Sequence, residues 1–294
     1  MKLWKYSGAG NDFIVADGRE RHACALCQAL TLADIAERDS LCSSVRIREI
    51  CSRTGGFVAA DGRIGADGLI ILRDSGKYDF RMEFYNPDGS KGMMCGNGGR
   101  CITAFADRLG IKPAGDGYVF EAADGIHTAS VLSREGSRTM VRLGMVDATG
   151  LRPAQGGYFL DTGTRHLVVF VADVDEVDVA HEGARLRWMD DFAPEGTNVN
   201  FVSACGGGLL KVRTFEKGVE AETLSCGTGV TAASIAAYYH GVEPLKSEDM
   251  SVMSIAIHYD IQARGGRLAV DFLPAFTTAA ASNVFLTGPA DCIL

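Results

Sequence analysis

Met94-Cys95-Gly96-Asn97-Gly98-Gly99-Arg100 and Ser225-Cys226-Gly227-Thr228-Gly229-Val230-Thr231 are two copies of one pattern. Each reads Cys-Gly-x-Gly and runs into a helix-like segment. After the first copy, Cys101, Ile102, Phe105, Ala106 and Leu109 recur at helical spacing. After the second, residues 230–239 are apolar nearly all round, broken only by Thr231 and Ser234, the pattern of a buried helix. Both runs stop at a glycine, Gly110 and Gly241, as helix C-termini commonly do. Cys226 follows Cys95 by 131 positions, and Gly241 follows Gly110 by the same 131. Upstream, Gly196-Thr197-Asn198 stands 131 positions after Gly65-Ala66-Asp67. The chain reads as an internal duplication, each half setting one cysteine at the start of a buried helix.

That position has chemical content. A helix N-terminus carries unpaired backbone N–H groups and a partial positive charge. These favour thiolate over thiol and make a seat for a carboxylate, which the glycines allow to approach the backbone closely. Two such turns facing each other would grip one carboxylate and set a sulfur on each side of the adjacent carbon. One sulfur could then remove a proton from one face while the other returns a proton to the opposite face.

Composition narrows the function classes. A chain of 294 residues has room for one large or two small domains, and 47% hydrophobic residues suffice for a core. A net charge of −8 argues against a nucleic-acid surface. No apolar run approaches the ~20 residues of a membrane span, and Met1-Lys2-Leu3-Trp4-Lys5-Tyr6 lacks the apolar core of a secretory signal. Nine cysteines without an export signal suit reduced thiols in the cytoplasm. The 36 glycines and 7 prolines suit many tight turns.

Short alternating runs at 80–85, 118–122, 139–143, 166–171, 210–215, 254–263 and 267–272 read as strands. The fold expected is α+β: two pseudo-symmetric domains, each a mainly antiparallel, barrel-like sheet around one central helix, with the active-site cleft between them. The first domain spans 1–144 and is joined by a closing strand from 283–294; the second spans 145–282. Residues 1–17 read as strand, turn and strand around Gly8-Ala9-Gly10-Asn11-Asp12-Phe13. Residues 29–36 and 45–51 are candidate short helices. Cys24-x-x-Cys27 with His22 has half the ligands of a zinc site and no second pair at ligand spacing, so no metal is expected. Residues 188–192 read as a short helix or loop, and the last strand reads as ending before Thr287-Gly288-Pro289-Ala290.

Read together, Gly8-x-Gly10-Asn11-Asp12-Phe13, Asn86-x-Asp88-Gly89-Ser90, Cys95-Gly96-Asn97-Gly98-x-Arg100-Cys101, Asn198-Val199 and Glu216-x-Gly218-x-x-x-Glu222-Thr223-x-x-Cys226-Gly227-x-Gly229 resemble the diaminopimelate epimerase family. The resemblance runs from the N-terminus to Gly288-Pro289-Ala290 and fits residues 19–62 worst. It implies conversion of LL-2,6-diaminopimelate to the meso form, on the route to lysine and peptidoglycan, by a homodimer without pyridoxal phosphate or any other cofactor. It implies that Cys95 and Cys226 are the acid/base pair and that His166 and Glu216 orient the site and tune the thiols. Gly96, Asn97, Gly227 and Thr228 would hold the reacting carboxylate. Asn11, Asn86, Asn198 and Glu216 would contact the other amine and carboxylate groups of this small amino-acid substrate. Thr164 and Lys217 stand where the family often has Asn and Arg, and they are the matching substrate contacts. Arg165 is an alternative to Lys217 for the distal carboxylate, because an arginine binds a carboxylate bidentately and a lysine does not.

Other readings use part of this pattern. A hydrolase with one cysteine nucleophile and His166 leaves the second Cys-Gly turn idle. A thiol redox protein and a non-catalytic amino-acid binder of the same fold are two more, and a proline or hydroxyproline racemase would share the proton chemistry. Cys101, Cys205 and Cys292 read as ordinary small hydrophobes, and His127, His181, His240 and His258 as structural or surface residues.

Overall fold

The computed structural model describes residues 2–19, 41–245, 256–275 and 279–293. The expected helix at 29–36 and the Cys24-x-x-Cys27 pair lie outside the described residues. The chain divides into two compact units, Met1–Leu143 with Pro289–Leu294, and Gly144–Gly288.

The first unit contains β1 (Leu3–Gly8), β2 (Asn11–Asp17), α1 (Ser44–Cys51), β3 (Leu69–Arg73), β4 (Phe80–Tyr85), α2 (Gly96–Arg108), β5 (Tyr118–Ala122), β6 (Gly125–Glu135) and β7 (Arg138–Gly144). The strands pair in chain order, and the Pro289–Ile293 end of the last strand closes the ring. On one side it pairs with β1 in the register Lys5↔Ile293 and Ser7↔Asp291. On the other, Cys292 N–H donates to the Ser137 carbonyl at 2.9 Å. Pairing is antiparallel except between β2 and β3 and between β4 and β5. Helix α2 packs on β1, β2, β3 and β6, with Phe105 against Trp4 and Tyr6. Strand β2 is buried along residues 12–16 rather than alternating, because both its faces are covered. Ile14 and Ala16 pack with Ile47 and Ile50 of α1 on one face, while α2 lies against the barrel.

The second unit repeats this plan with β8 (Ala148–Ala154), β9 (Gly157–Asp161), β10 (Arg165–Phe170), α3 (Val179–Arg187), β11 (Asn198–Ala204), β12 (Leu209–Glu216), β13 (Ala221–Thr223), α4 (Gly227–Tyr239), β14 (Ile257–Ala263), β15 (Gly266–Pro274) and β16 (Ala279–Ile293). Its ring runs β8-β9-β10-β11-β12-β14-β15-β16 and returns to β8. Again two pairs are parallel, β10 with β11 and β12 with β14. Helix α4 packs against β9, β10, β11, β12, β14 and β15. Helix α3 covers a cluster of Leu167, Val199, Phe201 and Phe215 through Val179 and Leu186. The mainly antiparallel, barrel-like sheet around a helix is therefore present in each unit. Strand β16 is longer than the sequence suggested, because Gly288-Pro289 continues the strand instead of turning it. Among the described residues no helix is long and apolar enough to cross a membrane.

The duplicated register is visible in hydrogen bonds. Gly110 N–H donates to Asp107 and Ile111 N–H to Ala106, and 131 positions on, Gly241 donates to Tyr238 and Val242 to Ala237. This is one Schellman-type ending made twice. The hydroxyls of Thr103 and Ser234, also 131 apart, donate to the carbonyls of Gly99 and Val230. Gly65 and Gly196, at equivalent turns, both have left-handed φ, +64° and +68°. A Cβ on Gly65 would stand 2.3 Å from the Ser52 carbonyl oxygen, and one on Gly196 would stand 2.8 Å from that of Arg187. At Gly110 and Gly241 φ is also positive, yet a Cβ would meet nothing within 4 Å. Gly65→Ala and Gly196→Ala are therefore each expected to cost about 2–4 kcal/mol of unfolding free energy, against about 1 kcal/mol for Gly110→Ala and Gly241→Ala. Guanidinium melts of the four variants check this; equal losses at all four would show that backbone conformation alone sets the cost.

Candidate active site

Each unit places its cysteine as the N-cap of its central helix. Cys95 has φ −111° and ψ 153°, and Cys226 has φ −113° and ψ 113°, both extended, so each residue turns the chain into a helix. The first N–H groups of α2 and α4 have no acceptor inside their helices. Those of Gly96 and Asn97, and of Gly227 and Thr228, are the groups singled out from the sequence for holding a carboxylate.

In the first unit Cys95 is exposed, and its Sγ accepts the Gly98 N–H at 3.3 Å. Gly98 has no room to spare: a Cβ there would stand 3.2 Å from that sulfur. Behind it Asn97 is buried, and its Nδ2 donates to Asn11 Oδ1 at 2.6 Å. The structure thus brings Asn11 and Asn97 together, although they are 86 positions apart. Asn86 sits in its own turn, where its Nδ2 donates to Ser90 Oγ at 3.0 Å and its backbone N–H to the Ser90 carbonyl at 2.8 Å.

In the second unit Cys226 is 8% exposed, and its Sγ lies 3.4 Å from Thr228 Oγ1. Glu216, at the end of β12, is the nearby acid. Burial pushes its carboxyl above the usual carboxylate range, and hydrogen bonds from Thr223 and Cys226 pull it part of the way back. Asn198 opens β11. Its Nδ2 donates to the Arg165 carbonyl at 3.0 Å and lies 3.5 Å from Thr164 Oγ1, and its Oδ1 accepts the Lys217 backbone N–H at 2.8 Å. Asn198, Thr164 and Lys217 are therefore gathered by one amide, with Lys217 contributing its backbone there. The Arg165 guanidinium pairs with Glu195 of the same unit.

His166 is fully buried on β10, and burial depresses its pKa to about 3. Its Nδ1 lies 3.1 Å from Asn200 Nδ2. That amide also donates to the Leu167 carbonyl at 3.1 Å, and Asn200 Oδ1 accepts from Thr214 at 3.0 Å. A carbonyl can only accept, so the Asn200 NH2 group must face Leu167 and His166. Nδ1 then accepts, and the ring proton sits on Nε2, which is buried and has no partner among the described residues. Asn200 and Thr214 were not picked from the sequence. The available signal was alternation, since Asn198 and Asn200 are two apart on β11 and share a face. Arg100 and Asp67 were likewise missed as supports of Asn97 and Asn11. Among the described residues no cluster of three His, Cys, Asp or Glu side chains could hold a metal ion.

The profile of the family described as Diaminopimelate epimerase matches residues 3–148 and 158–271. The chain is 41% identical over 240 residues to a diaminopimelate epimerase of Chlorobaculum tepidum, covering 80% of this chain and 82% of that protein. It is 36% identical over 293 residues to the diaminopimelate epimerase of Flavobacterium psychrophilum, covering 100% of this chain and 98% of that protein. Among solved structures, a hydroxyproline epimerase from Agrobacterium vitis superposes with a TM-score of 0.59 at 16% identity, covering 98% of this chain and 88% of that one, so the two share the fold. With the family profile matched across both units and relatives aligned over most of its length, the chain belongs to the diaminopimelate epimerase family of isomerases.

Proposed function

We propose that the protein interconverts LL- and meso-2,6-diaminopimelate by two-base proton transfer, with Cys95 and Cys226 as the two bases, in the supply of lysine and peptidoglycan precursors. The observation that carries this reading is the repetition: each unit begins its buried central helix with a cysteine N-cap, at the same register of the duplication. A single-nucleophile hydrolase has no use for the second copy.

In this mechanism the two cysteines act on opposite faces of one α-carbon. One cysteine, as thiolate, takes the α-proton as the other, as thiol, supplies one. An amino-acid α-proton is very weakly acidic, so the carboxylate must be stabilised as it becomes enolate-like. The N–H groups of Gly96, Asn97, Gly227 and Thr228 serve this purpose, aimed donors in a dry site being worth more than water. Glu216, hydrogen-bonded to Cys226, accepts the thiol proton when that sulfur acts as base. His166 takes no proton in the working pH range; it orients as a neutral Nε2–H donor. Asn11, Asn86, Asn198 and Thr164 read the amine and the second carboxylate. Lys217 is the cation proposed for the distal carboxylate, because Arg165 is engaged by Glu195. The resemblance to the family adds a cytoplasmic homodimer without a cofactor; sedimentation of the purified protein tests the dimer.

In deuterium oxide the enzyme should exchange the Cα hydrogen of diaminopimelate without consuming it, and much faster than that of proline or hydroxyproline. Cys95→Ala and Cys226→Ala should each lower that exchange by about 10³-fold or more; a variant retaining turnover removes its cysteine from the mechanism. Glu216→Gln should cut turnover by about 10–100-fold. It should not lower the melting temperature at pH 8, because the carboxyl whose ionised form burial disfavours is replaced by a neutral amide of the same size. A lowered melting temperature would make the loss structural. His166 refuses a proton that the unfolded chain accepts below its ordinary pKa of 6.5, so its burial destabilises the protein as pH falls from there toward about 3. His166→Gln should therefore move the acid-unfolding midpoint to lower pH, and an unchanged midpoint would contradict the neutral assignment.

A further inference from the structure

The first unit holds a run of side-chain hydrogen bonds that begins on a buried cation and ends on a carboxylate. Arg100, fully buried on α2, donates from Nη2 to Asn97 Oδ1 at 2.8 Å and from Nη1 to the Gly96 carbonyl at 3.2 Å. Asn97 Nδ2 donates to Asn11 Oδ1 at 2.6 Å, and Asn11 Nδ2 donates to Asp67 Oδ2 at 3.1 Å. Asp67 also accepts the Asp12 backbone N–H at 3.1 Å and pairs with Arg53. A guanidinium only donates and a carboxylate only accepts. The two ends therefore fix the direction of everything between them. Neither asparagine can turn its amide over without setting N–H against N–H or oxygen against oxygen. Each NH2 group spends one hydrogen inside the run and keeps the other.

The second unit shows that the fold does not require this run. At the positions 131 further on, Thr228, Thr231 and Asn198 stand for Asn97, Arg100 and Asp67. Thr231 Oγ1 donates to the Gly227 carbonyl at 2.9 Å, which reproduces the bond from Arg100 to Gly96, and α4 forms from there with no charge at either end of the series. The cation-to-anion run is thus an addition, in the first unit, to a helix start that forms without it.

We propose that Arg100 and Asp67 are positioning residues that lock the side-chain amides of Asn97 and Asn11 in a single orientation, so that both present N–H to an acceptor oxygen of the substrate. The inference rests on the reading above in which these asparagines meet the substrate. It extends that reading to two residues that do not themselves touch it. Asp12, Lys5 and Arg53 anchor the far end: Lys5 Nζ lies 2.7 Å from Asp12 and donates to the Gly65 carbonyl at 2.6 Å, beside Asp67. Arg53 bridges Asp12 and Asp67.

The test compares Asp67→Leu, which removes the terminal acceptor, with Asp67→Asn, which keeps an oxygen there at the same size. Two quantities are read on the full chain: hydrogen exchange of the Asn11 and Asn97 side-chain NH2 groups by 15N NMR without substrate, and kcat and KM for diaminopimelate. Asp67→Leu should speed exchange at both asparagines and raise KM about tenfold, the worth of one hydrogen bond to a charged group, with kcat changed by less than about threefold. Asp67→Asn should return both quantities to within about threefold of the parent. If the leucine variant does not fold, Asp67→Ala carries the same expectation. Unchanged exchange in a folded leucine or alanine variant would overturn the proposal. So would faster exchange with an unchanged KM, or an equal loss in the asparagine variant. The exchange measurement needs no substrate, so it stands even if the parent enzyme proves inactive on diaminopimelate, a result that would count against the reaction alone.

Discussion

A helix buried on every side meets solvent only at its ends. Helix α4 is buried at nearly every position from Gly227 to Ala237, and α2 at every position from Gly96 to Ala106. Each is ringed by strands that cover its flanks. Whatever chemistry such a helix offers must therefore be offered at a terminus, and at the N-terminus that means N–H groups and a positive potential. The cysteines stand there because the architecture leaves that place open. The strand ends around each helix carry the other residues proposed for the site: Asn11 at the start of β2, Asn198 at the start of β11, and Glu216 at the end of β12.

The duplication preserved the backbone and let the side chains diverge. The helix endings, the hydroxyl bonds inside the helices and the pattern of parallel and antiparallel strands recur in both units. The surroundings of the two sulfurs do not. Cys95 is exposed, accepts a backbone N–H and is backed by asparagines strung between Arg100 and Asp67. Cys226 is buried and lies beside a carboxyl whose charged form burial disfavours. Two thiols in unlike electrostatic settings suit a reaction in which one must hold its proton while the other has lost it.

Much of this was readable from residues alone, and the rest failed for identifiable reasons. The two central helices, their glycine ends and their cysteine caps came from spacing, because a wholly buried helix imposes its pattern on local sequence. Helix α3 was missed: only Val179, Gly183, Leu186 and Arg187 of its nine residues are buried, so its apolar stripe is thin. Strands β8 and β9 were missed because exposed positions and Gly150, Gly156 and Gly157 hide the alternation. Pro289 suggested a stop, yet a proline can lie in a strand wherever its missing N–H is not needed. At the site, the motif residues could be named, but their supports could not. Asp67 meets Asn11 across 56 positions, and Asn200 meets His166 across 34. Local pattern carries no record of such contacts.

The single strand β16 finishes both rings, its first part in the second unit and Pro289–Ile293 in the first. On the ribosome, an N-terminal domain ordinarily folds while the rest of the chain is still being made. Here the first ring cannot close when its first seven strands have emerged, because its eighth is encoded by the last codons described. Lys5 must wait for Ile293. The nascent first half thus leaves β1 as an open edge until β16 has been made, and such an edge is a place for pairing with other chains.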